Sequence, residues 1–251
     1  MIALASTIEG LLAIRTARKT VTEKIETHLI DKAADVAEII DGRADALFQF
    51  IEGVARMPQL RDTSLPLSQK ARGLAKEVEN NVKIDLLGIC DLEGNRYDSN
   101  GTQSFIGDRD WFKTAITGTN FISEPRISRA TNKLQIIFAV PIRDDNKTIT
   151  GVLAAATPGN LLSSAISDIV VGQTGECYVI AANGVTVAHK NQTVVDSMYS
   201  LIEASKQDST LQSAATFLQH ALDSTQSKVE QYLYAHCFLC ENRKYRMDTY
   251  C

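Results

Sequence analysis

The chain has 251 residues, of which 44% are hydrophobic and 22% are charged, and its formal net charge is −4. This is the composition of an ordinary globular protein, so it excludes collagen-like repeats, long disordered tracts and a polytopic membrane protein. The acidic balance also lacks the basic character that nucleic-acid binding requires, so nucleic acid is not an expected partner.

The amino-terminal segment leaves two interpretations open. Residues 1–14 are mostly apolar, but they are fewer than the roughly 20 residues of a membrane-spanning helix and include Glu9. A signal peptide carries its positive charges before the apolar run, whereas Arg15, Arg18 and Lys19 follow it here. The segment is either the plain start of a helix or the remnant of a membrane anchor.

A long helix is predicted over residues 16–57. Apolar side chains recur at helical steps and form one stripe: Val21, Ile25, Leu29, Val36, Ile40, Leu47, Ile51 and Val54. The pattern stops at Met57, because a residue before proline is pushed out of the α region. Roughly forty helical residues extend about 60 Å, which is more than a small domain needs. Such a helix packs along a partner such as another subunit, leads into a membrane, or lies across its own domain, and these are compatible. We expect a homodimer through this helix.

The region after the helix predicts a first unit of antiparallel strands and short helices over residues 58–160. Alternating apolar residues indicate strands, and turn residues such as Asp91 and Asn95 separate them. An antiparallel sheet with helices grouped on one side is an α+β layout. The predicted elements are a helix at 68–78, strands at 82–86 and 96–99, a helix at 110–117 and strands at 134–142 and 149–156. The last two strands form a hairpin, because Asp144, Asp145 and Asn146 between them are turn residues.

A second unit, over residues 161–251, repeats this plan with fewer strands. Asn183 and Gly184 are a hairpin signal between two of its strands. The residues from His236 onward show no clear period, so we expect this unit to be incomplete. The predicted elements are a helix at 161–170, strands at 177–181 and 185–189, a helix at 200–222 and a strand at 229–234.

Motifs of the common enzyme classes are absent from the sequence. It has no phosphate-binding glycine loop with Lys and Ser or Thr, no Gly-x-Ser-x-Gly and no His-Glu-x-x-His. Cys237 and Cys240 have metal-like spacing, but a structural zinc site needs four ligands and no second such pair exists. The sequence thus predicts no enzyme, no metal site and no cofactor, with a thiol- or metal-based enzyme around these cysteines as the remaining alternative.

A loop-to-helix junction at residues 107–112 carries the candidate ligand site. Arg109 and Trp111 are two positions apart, so on an extended segment both would point towards one cavity. A guanidinium binds a carboxylate through two parallel hydrogen bonds, and an indole offers an apolar or cation–π face. Arg126 is a second cation nearby, which either completes this site or is a solvated rim charge.

An ordered set of segments carries a family resemblance. They lie at residues 108–115, 122–125, 139–142, 151–154, 172–180 and 183–191. In this order they resemble the double Cache (dCache) extracytoplasmic sensor domain of bacterial and archaeal receptors, over about residues 20–195. The resemblance implies a long helix (1–57) supporting two stacked PAS-like units. The membrane-distal unit (58–160) would bind a ligand, and the membrane-proximal unit (161–251) would relay the signal.

The resemblance also implies a function and a location. Such domains are found on methyl-accepting chemotaxis proteins, sensor histidine kinases and diguanylate cyclases, at the extracytoplasmic face of the cell membrane and attached to it through flanking helices. We expect the chemotaxis type, sensing a small molecule. The alternatives are the sensor domain of a histidine kinase or a diguanylate cyclase, and a dimerisation module without a ligand.

Family members that bind amino acids use an Arg-x-Trp pair for the ligand carboxylate, which Arg109 and Trp111 match. They place a Tyr where this chain has Arg126, and an ammonium-binding Asp where it has Ala156 or Thr157. Burying an unpaired ammonium costs several kcal/mol. We therefore expect a small organic carboxylate rather than a standard amino acid. The candidate ligand-binding residues are Arg109, Trp111, Arg126, Asp91, Tyr97, Ser99 and Ala156.

Overall fold

The computed structural model describes the backbone of residues 2–129, 131–171, 175–223, 228–232, 235–242 and 247–250, and the side chains of residues 9–129, 131–170 and 175–223. The chain divides into two compact units. One, called here the first sheet unit, comprises Ile39–Asp168 and Thr186–Tyr199. The other, the second sheet unit, comprises Met1–Glu38, Ile169–Val185 and Ser200–Cys251. The assignment of membrane-distal and membrane-proximal roles to 58–160 and 161–251 stays a prediction.

The strands pair antiparallel and the helices lie beside the sheets, so the fold is α+β as predicted. The helices are α1 (Ile2–Ala55), α2 (Pro58–Arg61), α3 (Leu67–Gly73), α4 (Ala75–Glu79), α5 (Asp110–Ala115), α6 (Ser163–Ile166), α7 (Gln192–Asp196), α8 (Leu201–Ser205) and α9 (Gln212–Leu222). The strands are β1 (Leu86–Cys90), β2 (Asn95–Asp98), β3 (Gln103–Phe105), β4 (Phe121–Ile122), β5 (Arg126–Ile127), β6 (Leu134–Arg143), β7 (Ile149–Pro158), β8 (Val170–Val171), β9 (Gly175–Glu176), β10 (Tyr178–Ala181), β11 (Thr186–His189), β12 (Lys228–Tyr232), β13 (Ala235–Asn242) and β14 (Met247–Tyr250).

The long amino-terminal helix is confirmed as the single helix α1, which begins earlier than predicted and ends at Ala55. Its apolar stripe is exposed at Leu11 and Val21 and becomes buried from Leu29 onward. The next helix begins at Pro58, so the proline does separate two helices. Among the helices of the described residues, none combines the length and the apolar character needed to cross a bilayer.

The first sheet unit is built on an antiparallel sheet with the strand order β3-β2-β1-β7-β6-β4, and β5 pairs with β6. Its centre is the predicted hairpin of β6 and β7, whose ten-residue strands are buried over most of their length. Successive side chains of a strand point to opposite faces. Phe138 packs edge-to-face against Phe48 of α1 at 5.2 Å. Ala139 belongs instead to the cluster that contains Trp111 and Phe112 of α5.

Small side chains make room on the α5 face of this sheet. Asp98, Gly88, Ala154 and Ala139 form one row across β2, β1, β7 and β6. The adjacent row consists of Leu86, Ala156 and Ile137 on β1, β7 and β6. Because the centre of both rows carries only glycine or alanine, the space above the sheet is free for the side chains of α5 and for a cavity.

Some local predictions for the first sheet unit are wrong. The strand predicted at 82–86 begins only at Leu86. Asn81 accepts hydrogen bonds from the Ile84 and Lys83 backbone amides, so turn chemistry overrides the alternating pattern there, and Val82 is exposed. The helix predicted at 68–78 is divided into α3 and α4. The short strands β3, β4 and β5 were not predicted.

In the second sheet unit, β10, β14, β13 and β12 lie side by side in that order and pair antiparallel. Phe217, Leu218 and Ala221 of α9 pack against Ile180 of β10. The helix predicted at 200–222 is interrupted, because the Asp208 carboxylate accepts from the Thr210 backbone amide and begins a short 3-10 helix. Strands β13 and β14 were not predicted from the sequence.

Candidate functional site

A cavity of about 180 Å³ lies in the first sheet unit, above the row of Leu86, Ala156 and Ile137. Its walls come from β1, β2, β3, β6 and β7, from the start of α5 and from the segment around β5. Pockets for drug-sized ligands measure roughly 300–1,000 Å³. The size therefore fits a small metabolite.

The floor of the cavity is formed by Arg96, Asp98 and Trp111, which are all buried. Arg96 and Asp98 are two positions apart on β2 and so share a face of the sheet. The Arg96 Nε donates to Asp98 Oδ1 at 2.6 Å. The Arg96 guanidinium also lies 5.8 Å from the centre of the Trp111 ring, within cation–π range. Each buried charge on the floor is therefore paired.

Gly88 on β1 leaves the space that this ion pair occupies beside β2. It is opposite Asp98 in the pairing of β1 and β2. A Cβ atom at this position would lie 2.3 Å from Asp98 Oδ1 and 2.4 Å from Arg96 Nε. No side chain larger than hydrogen fits between these groups without displacing them.

Burial and ion pairing act in opposite directions on the Asp98 carboxyl. Desolvation is the larger effect and raises the pKa of Asp98, while the charge and hydrogen bond of Arg96 lower it. Burial likewise raises the pKa of the Cys90 thiol to about 12, so this cysteine is protonated at neutral pH and is not an activated nucleophile.

The rim of the cavity is formed by Arg109, Arg126 and Arg129. Arg109 precedes α5 in an extended conformation, and its side chain is 22% exposed. Its nearest acidic partner among the described residues is Asp108, at 3.8 Å, and Arg129 approaches the same carboxylate at 3.5 Å with a side chain that is 73% exposed. The Nε of Arg126 is buried and has no hydrogen-bond partner among the side chains described. The rim thus carries cations that are weakly paired or unpaired.

Four of the predicted site residues line this cavity: Arg109, Trp111, Arg126 and Ala156. The other three are not among its lining residues in the described part of the chain. Asp91 accepts hydrogen bonds from the backbone and side-chain amides of Asn95, each at 2.8 Å. The Ser99 backbone amide donates to the Leu87 carbonyl. Tyr97 lies between Arg96 and Asp98 on β2 and so faces the opposite side of the sheet.

Arg96 and Asp98 were not predicted as site residues from the sequence. A signal for them existed, because opposite charges two positions apart in a predicted strand share one face. The sequence did not show that this face turns inward. The described side chains contain no cluster of three or more His, Cys, Asp or Glu residues that would hold a metal. The side chains of Cys237 and Cys240 lie outside the described residues.

Comparison with known proteins gives a family match and a set of similar folds. The family model for the Cache domain (dCache_1) matches residues 13–237. No curated protein matches the sequence significantly. Similar solved structures include the sensory domain of chemoreceptor Tlp3 from Campylobacter jejuni with isoleucine bound (11% identity, 92% of this chain, 93% of that chain, TM-score 0.65).

Two further structures are ligand-binding domains from Pseudomonas. One is that of the P. fluorescens chemoreceptor CtaA with L-valine (17% identity, 91% of this chain, 97% of that chain, TM-score 0.68). The other is that of the P. aeruginosa PAO1 amino-acid chemoreceptor PctC with GABA (15% identity, 90% of this chain, 99% of that chain, TM-score 0.66). At these identities the likeness shows the fold.

The expectation that a standard amino acid is not the ligand is wrong. Domains of the same fold have been solved with isoleucine and with L-valine, so this architecture is compatible with amino acids. The expectation rested on the lack of an acidic residue at Ala156 and Thr157, but the cavity has an acidic residue elsewhere. The Asp98 carboxylate lines the cavity from β2 instead.

Proposed function

This chain belongs to the Cache-domain family, and from that premise we propose that it is the ligand-binding sensor domain of a chemotaxis-type transmembrane receptor, with an amino acid or a related amino-carboxylate as its ligand. The solved domains of similar fold, which come from chemoreceptors, support the receptor class. The proposal includes an extracytoplasmic location, ligand binding by residues 58–160 and signal relay by residues 161–251.

The observation that carries the proposal is the pairing of opposite charges in one small cavity. Arg109 provides a guanidinium for a ligand carboxylate, in the bidentate geometry that arginine favours. Asp98 uses Oδ1 for Arg96, which leaves Oδ2 to accept from a ligand ammonium. Trp111 supplies an apolar wall between them. A molecule with a carboxylate at one end and an ammonium group near it matches this arrangement.

A ligand in this cavity would connect parts of the chain that are distant in sequence. Asp98 is on β2, Arg109 precedes α5, and Arg126 is on β5. A ligand shifts a conformational equilibrium only by its difference in affinity for the two states. The state in which these three segments converge on the ligand is therefore the one that binding would favour.

Isothermal titration calorimetry tests the proposal, with the standard L-amino acids and GABA as ligands. We expect at least one to bind, and the Arg109→Ala variant to bind it at least 100-fold more weakly. The control is Arg72→Ala, which removes an exposed arginine on α3 that does not line the cavity, and we expect it to bind as the unmodified protein does. Binding of none of these compounds, or equal binding by Arg109→Ala, would contradict the proposal and favour a module without a ligand.

We also propose that the domain forms a homodimer through α1. The exposed apolar residues Leu11, Ile14, Val21 and Ile25 recur at helical spacing on one side of this helix. Analytical ultracentrifugation of a Val21→Glu/Ile25→Glu variant should show a loss of dimer. A Thr20→Glu/Thr27→Glu variant adds the same charge on another side of the helix and should remain dimeric. Equal behaviour of the two variants would argue against this interface.

A further inference from the structure

The charges that line the cavity are unbalanced. Four of its lining residues are arginines, Arg96, Arg109, Arg126 and Arg129, whereas Asp98 is its one acidic lining residue in the described part of the chain. Arg96 and Asp98 neutralise each other on the floor. Arg129 is largely exposed, so water screens its charge. Two guanidiniums, those of Arg109 and Arg126, remain for a ligand.

Arg126 is held in place although its Nε has no hydrogen-bond partner among the described residues. Its backbone is part of β5, where it pairs with Gln135 of β6. Its Nε is buried and unbonded among the described residues. Burying a hydrogen-bond donor without an acceptor costs about 1–3 kcal/mol for a neutral group. The cost is higher when the donor belongs to a charged group. An anionic group of a ligand beside Arg126 would remove this cost.

A zwitterionic ligand with an apolar side chain does not meet this need. Its carboxylate would bind Arg109 and its ammonium would bind Asp98, and the buried Nε of Arg126 would gain no acceptor from the ligand. A second carboxylate on the ligand would instead give Arg126 a charged acceptor, in the planar geometry that a guanidinium prefers.

We infer that Arg126 forms a second anion subsite of this cavity and that the preferred ligand is an acidic amino acid of the aspartate or glutamate class. The inference rests on the proposed function. Arg109 binds the α-carboxylate, Asp98 binds the ammonium group, and Arg126 binds the side-chain carboxylate. Hydrogen bonds that involve a charged group contribute about 1.5–3 kcal/mol, which corresponds to an affinity difference of roughly 10- to 150-fold.

The test compares acids with their neutral amides, L-aspartate with L-asparagine and L-glutamate with L-glutamine, by isothermal titration calorimetry. The members of each pair are nearly equal in size, so a difference in affinity reports the charge. We expect one acid to bind at least 10-fold more tightly than its amide. Arg126→Gln should lose this preference and change the affinity for the amide by less than about threefold. Arg126→Lys should retain part of the preference.

The control variant is Arg129→Gln, which removes an exposed rim arginine, and it should keep the preference for the acid. Loss of the preference in this variant would show a general effect of positive charge and overturn the Arg126 subsite. Equal or tighter binding of both amides would overturn the inference and leave the proposed function standing, whereas absence of binding by every amino acid would contradict the proposed function itself. Succinate and glutarate lack the ammonium group. If they bound as tightly as L-aspartate and L-glutamate, the role of Asp98 would be overturned.

Discussion

The floor and the rim of the cavity use the same residue type in opposite ways. On the floor, Arg96 is bonded to Asp98 and lies near the Trp111 ring. On the rim, Arg126 has a buried Nε without a partner among the described residues, and Arg109 has only a weak acidic neighbour. A guanidinium that is satisfied within the protein supports the fold. One that is left unsatisfied is available to a ligand.

This difference predicts that substitutions on the floor change stability, whether or not they also change affinity, and that substitutions on the rim change affinity alone. Breaking a buried ion pair leaves a charge without compensation, which costs far more than losing an exposed pair. Measurements of the free energy of unfolding can therefore separate the two regions before any ligand is known.

The largest effect is expected for Asp98→Ala. This change leaves Arg96 buried without its carboxylate partner and should lower the free energy of unfolding by about 3–5 kcal/mol. Urea denaturation followed by circular dichroism measures it. The matched control is Asp145→Ala, which removes the partner of Arg61 from an ion pair whose aspartate is 92% exposed, and it should cost less than about 1 kcal/mol. Equal costs would show that the floor pair is not a structural element.

A smaller loss is expected for Gly88→Ala. The added methyl group would meet both partners of the Arg96–Asp98 pair, and forcing extra atoms into a packed site costs about 1–3 kcal/mol. Gly53→Ala on α1 is the control, since its Cβ would meet no atom within 4 Å. An alanine there should stabilise the helix by up to about 1 kcal/mol. A Gly88→Ala protein as stable as the unmodified one would mean that the pair can shift at little cost.

The pH dependence of stability should reveal the buried carboxyl on the floor. Burial raises the pKa of Asp98 in the folded protein above 3.8, so the folded state holds this proton more tightly than the unfolded state does. Between these two pKa values, the contribution of Asp98 to stability falls as the pH rises and grows as the pH falls. A difference of one in pKa between the folded and the unfolded protein changes the free energy of unfolding by about 1.4 kcal/mol.

The measurement is the difference in unfolding free energy between the unmodified protein and Asp98→Asn, from about pH 4 to about pH 7. Asparagine does not titrate, so the difference isolates this carboxyl from the other acidic groups. We expect the unmodified protein to gain relative to the variant as the pH decreases. A gain in the opposite direction would mean that the Arg96 charge outweighs desolvation.

The smallest effect on stability is expected on the rim. Arg109→Gln should change the free energy of unfolding by less than about 0.5 kcal/mol, because the side chain is partly exposed and its acidic neighbour is 3.8 Å away. Thermal denaturation without ligand measures this. A loss comparable to that of Asp98→Ala would show that the rim arginine is part of the fold and would remove the distinction between the two regions.

Patterns with a strong local cause could be predicted from the sequence. The apolar stripe predicted α1, and two long apolar runs around the turn at Asp144 predicted the β6–β7 hairpin. Strands of two or three residues such as β4 and β5 have no period to detect, since they form only because β6 offers them hydrogen bonds. Turn chemistry at Asn81 displaced a predicted strand in the same way, through a local interaction stronger than the pattern.

The cavity could be predicted in part. The spacing of Arg109 and Trp111 and the position of Arg126 indicated three of its lining residues. The Arg96–Asp98 pair could not be located, because its inward direction depends on Gly88 in a neighbouring strand and on Trp111 from α5. The position of this ion pair therefore depends on three segments of the chain together: β1, β2 and α5. The acidic side chain of the cavity therefore comes from β2, at Asp98, and not from the position of Ala156 or Thr157.

The alanines at the centre of the sheet have a further consequence. Ala156 lies beneath the cavity, between Leu86 and Ile137, and carries none of its charge. A valine at this position would make the cavity shallower and leave each arginine and the aspartate in place. The permitted length of a ligand's carbon chain and the number of its ionised groups are therefore set by different residues. Evolution, or a protein engineer, can alter one of these properties of the cavity without altering the other.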